Sequence, residues 1–255
     1  MSKRRLIGVI TVKNGIVVQS FGYDKYLPIG RAEIVAKNLD RWGADEIIVN
    51  VIDRTSDNSG PDYKILEKIL DLKLSTPLIY GGGISTKEDA LKVIQFGADK
   101  IIVENIMYSD FSNVRKISHT VGSQALIASM PVAISKKNIL QYNYLTKKLL
   151  KIDENFFLAA KEKLISEIML IDYKNEGYEK KFNSNLLSFF PIKNLPLICF
   201  GGISDSRQIL EILKRKNVQA IAIGNSLNYK ENSIQNIKGN ISKYSFRKPF
   251  YRIED

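Results

Sequence analysis

Apolar runs rich in isoleucine and valine recur along the chain. Each is followed by a longer stretch in which apolar residues return every three or four positions. The runs predict strands at Leu6–Thr11, Glu46–Ile52, Pro77–Tyr80, Lys100–Val103, Gln124–Met130, Glu167–Ile171, Pro196–Phe200 and Gln219–Ile223. The stretches between them predict helices at Arg31–Trp42, Asp62–Leu72, Thr86–Phe96, Asp110–Val121, Asn155–Ile165, Asn185–Phe189, Asp205–Lys216 and Ser233–Ser242. Nearly every strand position is apolar, as in strands covered on both faces, and strict alternation of strand and helix implies a parallel sheet. Eight such units in 255 residues predict an α/β fold closed into a (β/α)8 TIM barrel, which takes about 250 residues. Two segments break the rhythm. Lys13-Asn14-Gly15 with the following Ile16–Gln19 reads as a turn and a short extra strand, and Lys136–Lys151 is a long insertion after the fifth strand. Both follow a strand, which puts them on the face where barrels carry their active sites. No linker is visible, so a single domain over residues 1–255 is expected.

An internal repeat points to a ligand site. Pro77-Leu78-Ile79-Tyr80-Gly81-Gly82-Gly83-Ile84-Ser85 matches Pro196-Leu197-Ile198-Cys199-Phe200-Gly201-Gly202-Ile203-Ser204, an offset of 119 from position 77 to position 196. The same offset carries Ile101–Asn105 onto Ala220–Gly224 without a gap. The barrel therefore reads as a duplicated half-barrel, with halves at about 1–120 and 121–240 and a tail over 241–255. Gly82-Gly83 and Gly201-Gly202 each leave a strand and enter a helix. Glycine lets backbone N–H groups approach an anion closely, and helix N-termini favour negative charge. With Asn105 after the first pair and Gly224-Asn225-Ser226 after the second, two phosphate-binding sites are expected on opposite sides of one mouth.

Composition narrows the chemistry. Thirty-eight Lys and Arg against 27 Asp and Glu give a net charge of +11. The reading adopted is a lysine-rich solvated surface, part of it attracting anionic phosphosugars, rather than a nucleic-acid footprint. The single histidine, His119, sits at a helix end, so a site built on two histidines is excluded. The single cysteine, Cys199, excludes an internal disulfide. No metal and no cofactor is expected. No run is long and apolar enough for a membrane span, and the first residues lack a secretory pattern, so a cytoplasmic protein is expected. Tyr142 and Tyr144, among Lys136, Lys137, Lys147 and Lys148, suit either a sugar or nucleobase site or an amphipathic strand; the second reading is adopted. Cys199 and Trp42 read as packing residues.

The chain resembles the histidine-biosynthesis barrels, and more closely the cyclase subunit family of imidazole glycerol phosphate synthase. The resemblance rests on Arg5-Leu6-Ile7 through Val12-Lys13-Asn14-Gly15, Ala44-Asp45-Glu46, Tyr80–Ile84, Gly97-Ala98-Asp99-Lys100, Gly122-Ser123-Gln124-Ala125, Glu176-Gly177 and Phe200–Ile203, and covers essentially the whole chain. It implies a glutaminase subunit docked on the barrel bottom, which sends ammonia through the barrel to a phosphorylated substrate at the top. The family closes the tunnel entrance with two basic and two acidic residues, and the matching positions are Arg5, Glu46, Lys100 and Glu167. Four charges on an apolar floor are costly unless they pair. Asp99 matches a family aspartate at the glutaminase interface. At the top the family uses an aspartate at the end of strand one and another at the end of strand five. Thr11 stands at the first position, and Met130-Pro131 at the second, with Pro131 in the better register. Gln19 replaces a phosphate-contacting lysine. A threonine is no general base near neutral pH without an activating partner, and proline has no side-chain proton. Glu176 and Asp172, after strand six, remain as acid–base candidates beside Thr11.

A retained entrance below an altered mouth implies ammonia delivery to different chemistry. The pattern is similar to cyclase-like proteins of surface-polysaccharide gene clusters, a similarity carried by Tyr80–Gly83 and Pro61-Asp62. It implies conversion of an acetamido group to an acetamidino group on a nucleotide-activated sugar. The chain has no G-x-x-x-x-G-K loop, so ATP activation would fall to another protein. Two alternatives stand beside this reading: the cyclase reaction of histidine biosynthesis, and a non-catalytic scaffold that activates a glutaminase.

Overall fold

The computed structural model describes residues 4–136, 138–228, 233–242 and 244–249. Residues 1–3 and 250–255, at the two ends of the expected domain, lie outside the described residues. In chain order the elements are β1 (Arg5–Lys13), β2 (Ile16–Phe21), β3 (Lys25–Gly30), α1 (Ala32–Trp42), β4 (Glu46–Val51), α2 (Tyr63–Leu70), β5 (Leu78–Gly81), α3 (Lys87–Gln95), β6 (Lys100–Val103), α4 (Ile106–Ser109), α5 (Phe111–Val121), β7 (Leu126–Ser135), β8 (Asn138–Asn143), β9 (Lys148–Leu150), α6 (Glu154–Lys161), β10 (Glu167–Asp172), α7 (Asn185–Phe189), β11 (Leu197–Phe200), α8 (Ser206–Leu213), β12 (Val218–Ile223) and α9 (Ser233–Asn240).

Strands β1, β4, β5, β6, β7, β10, β11 and β12 pair in parallel in that order, and β12 pairs back to β1. The result is a closed (β/α)8 barrel. Successive strand residues alternate between its two faces. Leu6, Ile10 and Val12 of β1 pack outward against the helices, whereas Ile7 and Val9 point into the lumen with Ile48, Ile79, Ile127 and Met169. The small Ala220 and Ala222 of β12 complete that inner layer.

Polar residues at the helix starts work as caps, and the cap of α6, Asp153, lies two residues before the predicted start at Asn155. The side chains of Asp62, Asp110, Asp153 and Asp205 each accept a backbone N–H of the first turn, and Thr86 forms a reciprocal capping box with Asp89. Helices α2 and α6 stop before the predicted Leu72 and Ile165, because the chain turns left-handed at Lys73 and Lys163, with φ of 50° and 55°.

The insertions differ most from expectation. The segment after β1 forms a hairpin, β2 and β3, rather than one short strand. The fifth barrel strand does not end at Met130: β7 runs on to Ser135, because β8 pairs antiparallel with it from Val132↔Gln141 to Ser135↔Asn138. With β9 this makes a three-stranded extension over the mouth.

Candidate active site at the barrel mouth

The four charges expected at the barrel floor meet in one ring. Arg5 opens β1, Glu46 opens β4, Lys100 opens β6 and Glu167 opens β10, so strand geometry places all four at the N-terminal end of the lumen. Arg5 Nη1 donates to Glu46 Oε1 at 3.0 Å and to Glu167 Oε2 at 3.1 Å, and Arg5 Nη2 forms a further pair with Glu167. Lys100 Nζ reaches Glu46 at 3.2 Å and Glu167 at 3.3 Å. Each cation contacts both carboxylates. Burial works against the charge on Arg5, but hydrogen bonding and charge pairing with Glu167, then Glu46, outweigh it and hold its pKa above the usual arginine value. Beside the ring, exposed Asp99 accepts the backbone N–H of Leu78 at 2.8 Å.

At the other end of the lumen the strand ends open on a cavity of about 500 Å³. Ile102, Met169 and Ile171 form its floor, the first glycine loop (Gly82, Gly83) and Asn105 one wall, and Lys13, Tyr23 and Tyr26 of the β1–β3 region another. Lys13 Nζ lies 4.7 Å from the centre of the Tyr26 ring. The β8–β9 hairpin covers this space with Tyr142, Tyr144 and Lys147. Those tyrosines were expected on an amphipathic strand with no ligand; they line the cavity, and Tyr142 stacks on Tyr173 with ring centres 4.0 Å apart. The reason is the extra length of β7, which carries the hairpin back across the mouth.

The second glycine loop lines a separate, narrow recess of about 30 Å³ with Gly224, Asn225 and Ser226. Both glycine pairs take positive φ, 126° and 71° at Gly82 and Gly83, 98° and 76° at Gly201 and Gly202. The recess holds a polar atom with an open valence: Ser226 Oγ is buried and has no hydrogen-bond partner among the described residues. Asn225 is committed elsewhere, its Nδ2 donating to Ser20 O at 2.7 Å. In the first loop Gly83 N already donates to Thr55 Oγ1 at 3.2 Å.

The acid–base candidates separate. Thr11 is buried and shares the inward register of Ile7 and Val9, opposite Asn50. Asp172 falls on the outward register of β10, and its Oδ2 accepts from Asn175 Nδ2 and Asn183 N, both at 2.8 Å. It anchors a loop and does not line either cavity, which corrects its reading as an acid or base. Glu176 borders the recess, but its carboxylate is turned under the β2–β3 hairpin, accepting from Ser20 Oγ at 2.9 Å and Tyr23 N at 3.3 Å. Burial pushes it up to about 7 against those hydrogen bonds. In this geometry Glu176 positions the hairpin. Pro131 lines the large cavity, and Met130 packs outward.

The family model for histidine biosynthesis proteins matches residues 5–233. The chain belongs to that family. A Vibrio vulnificus (strain YJ016) protein, provisionally named imidazole glycerol phosphate synthase subunit hisF2, is 30% identical over 236 residues, covering 91% of this chain and 86% of that protein. A Campylobacter jejuni protein of the same provisional name is 27% identical over 250 residues, covering 96% and 98%. The imidazole glycerol phosphate synthase subunit HisF of Exiguobacterium sp. (strain ATCC BAA-1283 / AT1b) is 26% identical over 244 residues, covering 93% of each chain.

Within this family member, three carboxylates of the mouth escape the sequence reading, Asp24, Asp53 and Glu104. Glu104 follows β6 directly and lines the large cavity. Its Oε2 accepts from Ser129 Oγ at 2.7 Å, and its Oε1 is buried with no hydrogen-bond partner among the described residues. Burial pushes it up to about 8. The available signal was the repeat itself: Glu104 is the one acidic residue in a strand end whose counterpart is Ile223.

A pH test follows. Glu104 and Glu176 hold their protons more tightly in the folded chain than at the ordinary value of 4.5. Their favourable contribution is therefore complete below about pH 4.5 and is lost as pH rises toward 7 and 8. Replacing Glu104→Gln removes one of the two penalties. Between pH 5 and 8 the variant should gain on the wild type by roughly 2–4 kcal/mol in urea unfolding. Parallel stability profiles would refute a protonated Glu104.

Proposed function

We propose that the chain is the ammonia-using synthase subunit of a two-component glutamine amidotransferase, acting on a nucleotide-activated sugar and converting an acetamido to an acetamidino group. The observation that carries this reading is one continuous arrangement. A closed four-charge ring sits at one end of an apolar lumen, and the other end opens on a large cavity. An ion cannot cross an apolar lumen without losing its hydration, whereas neutral ammonia can. A glutaminase on the floor would deliver ammonia at the ring, with exposed Asp99 within its footprint.

The finer assignment draws on the mouth. Thr11 and Pro131 supply no carboxylate where the resembled cyclases have two. The cavity offers lysines for phosphates and tyrosines for a sugar or base. The glycine loops, with Asn105 on one side and Gly224, Asn225 N–H and Ser226 on the other, would hold the phosphate groups. An amide oxygen is a poor leaving group, so a partner enzyme must activate it before ammonia adds at the carbon. Among the described residues, no helix is long and apolar enough to cross a membrane.

The test is to incubate the chain and its co-expressed glutaminase with glutamine, the ATP-dependent sugar-modifying enzyme of the same gene neighbourhood and a panel of nucleotide-linked N-acetyl sugars. Mass spectrometry should find a sugar in which oxygen has been exchanged for NH. Retained glutaminase stimulation without that product would leave the scaffold reading. The cyclase reading is favoured by the names of the relatives. Rescue of a histidine-requiring strain that lacks the cyclase would establish it instead.

A further inference from the structure

We propose that Glu104 is the catalytic proton acceptor for ammonia at the barrel mouth. The proposal rests on the ammonia-using reading above and assigns the proton chemistry to a carboxyl that faces the large cavity, which neither Asp172 nor Glu176 lines. Its argument is geometric. The carboxyl group stands where the lumen meets the cavity, between Ile102 below and the hairpin above. Ser129 holds one oxygen, which fixes the rotamer, and leaves the other unpartnered and out of solvent. A buried acceptor with an open valence costs stability unless something fills it in the working state. Ser129 lies two residues before Pro131 on the neighbouring strand, so the carboxylate stands beside the strand end that proline has vacated of proton chemistry.

The surroundings suit a group that gains and loses a proton. The phenols Tyr23 from the β2–β3 turn, Tyr108 from α4 and Tyr144 from the β8–β9 hairpin feel the charge of Glu104, and Lys13, Asp24, Asp53 and Lys147 line the same cavity. Burial raises all three phenols above their ordinary range, so they stay neutral near pH 7. The Tyr23 and Tyr108 hydroxyls are themselves buried without partners among the described residues. They can donate to, or accept from, a small polar molecule beside the carboxyl.

The step balances as follows. The lone pair of ammonia forms the C–N bond to an sp² carbon that carries an activated oxygen. One N–H bond breaks with its electron pair left on nitrogen, and the proton goes to Glu104 Oε1. The C–O bond breaks with its pair on the departing oxygen, which leaves as the activating group's anion. Glu104 then releases its proton toward the open cavity.

Two measurements on the full chain test this. In the first, infrared difference spectra are taken between wild type and Glu104→Gln near pH 7, with ammonium chloride or sodium chloride added. A protonated-carboxyl band assigned to Glu104 should give way to a carboxylate band with ammonium chloride, because an ammonium ion donating to Oε1 favours the charged form that can accept a proton, and persist with sodium chloride. No band, or a band indifferent to ammonium, overturns the proposal. In the second, ammonium-driven turnover of the nucleotide-sugar panel, supplied with the activating enzyme, is followed against pH and expressed per free ammonia. Wild-type kcat should rise through pH 8; Glu104→Gln should lose about 100-fold or more in kcat, with little change in KM for the sugar and a flat profile. Ser129→Ala, which frees the rotamer, should shift the profile and lower kcat by less than Glu104→Gln does. Glu104→Gln turning over at the wild-type rate overturns the proposal. A wild type that turns over no nucleotide sugar, yet shows the ammonium response, rejects the assigned substrate and leaves Glu104 as the acceptor.

Discussion

Replacing Glu167→Ala should cost about 3 kcal/mol of stability and detach glutamine use from ammonia use. The physical cause is charge balance at the floor. The side chain of Glu167 is only 8% exposed, and it pairs with both Arg5 and Lys100. Its removal leaves two cations, 19% and 24% exposed, facing Glu46 alone. Breaking a largely buried pair by deleting one partner is costly because the remaining charge is only partly hydrated, whereas replacing the whole set with apolar groups can be close to neutral. The double variant Arg5→Met/Glu167→Leu should therefore recover part of the loss, and a double-mutant cycle in urea should show strong coupling. In activity the two variants should agree. Turnover with ammonium salts should survive, while turnover with glutamine should fall because the entrance no longer matches the partner. Equal loss with both nitrogen sources would mean that the ring only holds the barrel together.

Alanine at Gly201 or Gly82 should damage the fold and, with it, the proposed phosphate binding. At Gly201, φ is 98° and a Cβ would lie 2.5 Å from the carbonyl oxygen of Asp172; at Gly82, φ is 126° and the Cβ would lie 2.2 Å from the carbonyl oxygen of Val51. Both obstacles are backbone atoms of adjacent barrel strands, so neither can turn aside. Backbone strain of roughly 1–3 kcal/mol and overpacking of roughly 1–3 kcal/mol add together. Each variant should lose about 3 kcal/mol or more, read as a drop in the urea midpoint. Gly224→Ala is the internal control: its Cβ would meet the Phe200 ring at 3.5 Å, an ordinary contact, and stability should change by less than about 1 kcal/mol. Similar losses at all three glycines would contradict the strand-end geometry.

What the sequence disclosed, and what it hid, follows from the range of the forces involved. The barrel was legible because strands covered on both faces must be apolar at consecutive positions, a local signal. The floor ring was legible through the family resemblance, which singled out Arg5, Glu46, Lys100 and Glu167; each opens a strand, and parallel strands bring their first residues to one end. The mouth was less legible. Tyr144 and Tyr142 alternate along β8 and its turn, and alternation is the same whether the covered face meets solvent or a cavity. Only the pairing of β8 with the prolonged β7 decides it. Glu104 was hidden for the same reason, since its burial depends on side chains brought from distant loops. The outward turn of Asp172 was already implied by strand alternation, with Met169 and Ile171 facing the lumen.

The central claim is that ammonia released at the floor reaches the mouth without mixing with solvent. The direct measurement supplies the complex of this chain and the proposed glutaminase with amide-15N glutamine in a large excess of unlabelled ammonium salt, together with the proposed nucleotide-sugar substrate and an activating enzyme. The sugar product should carry 15N with little dilution, and Glu167→Ala should let the unlabelled nitrogen in. A wild-type product whose isotope ratio equals that of the bulk ammonium would contradict the account.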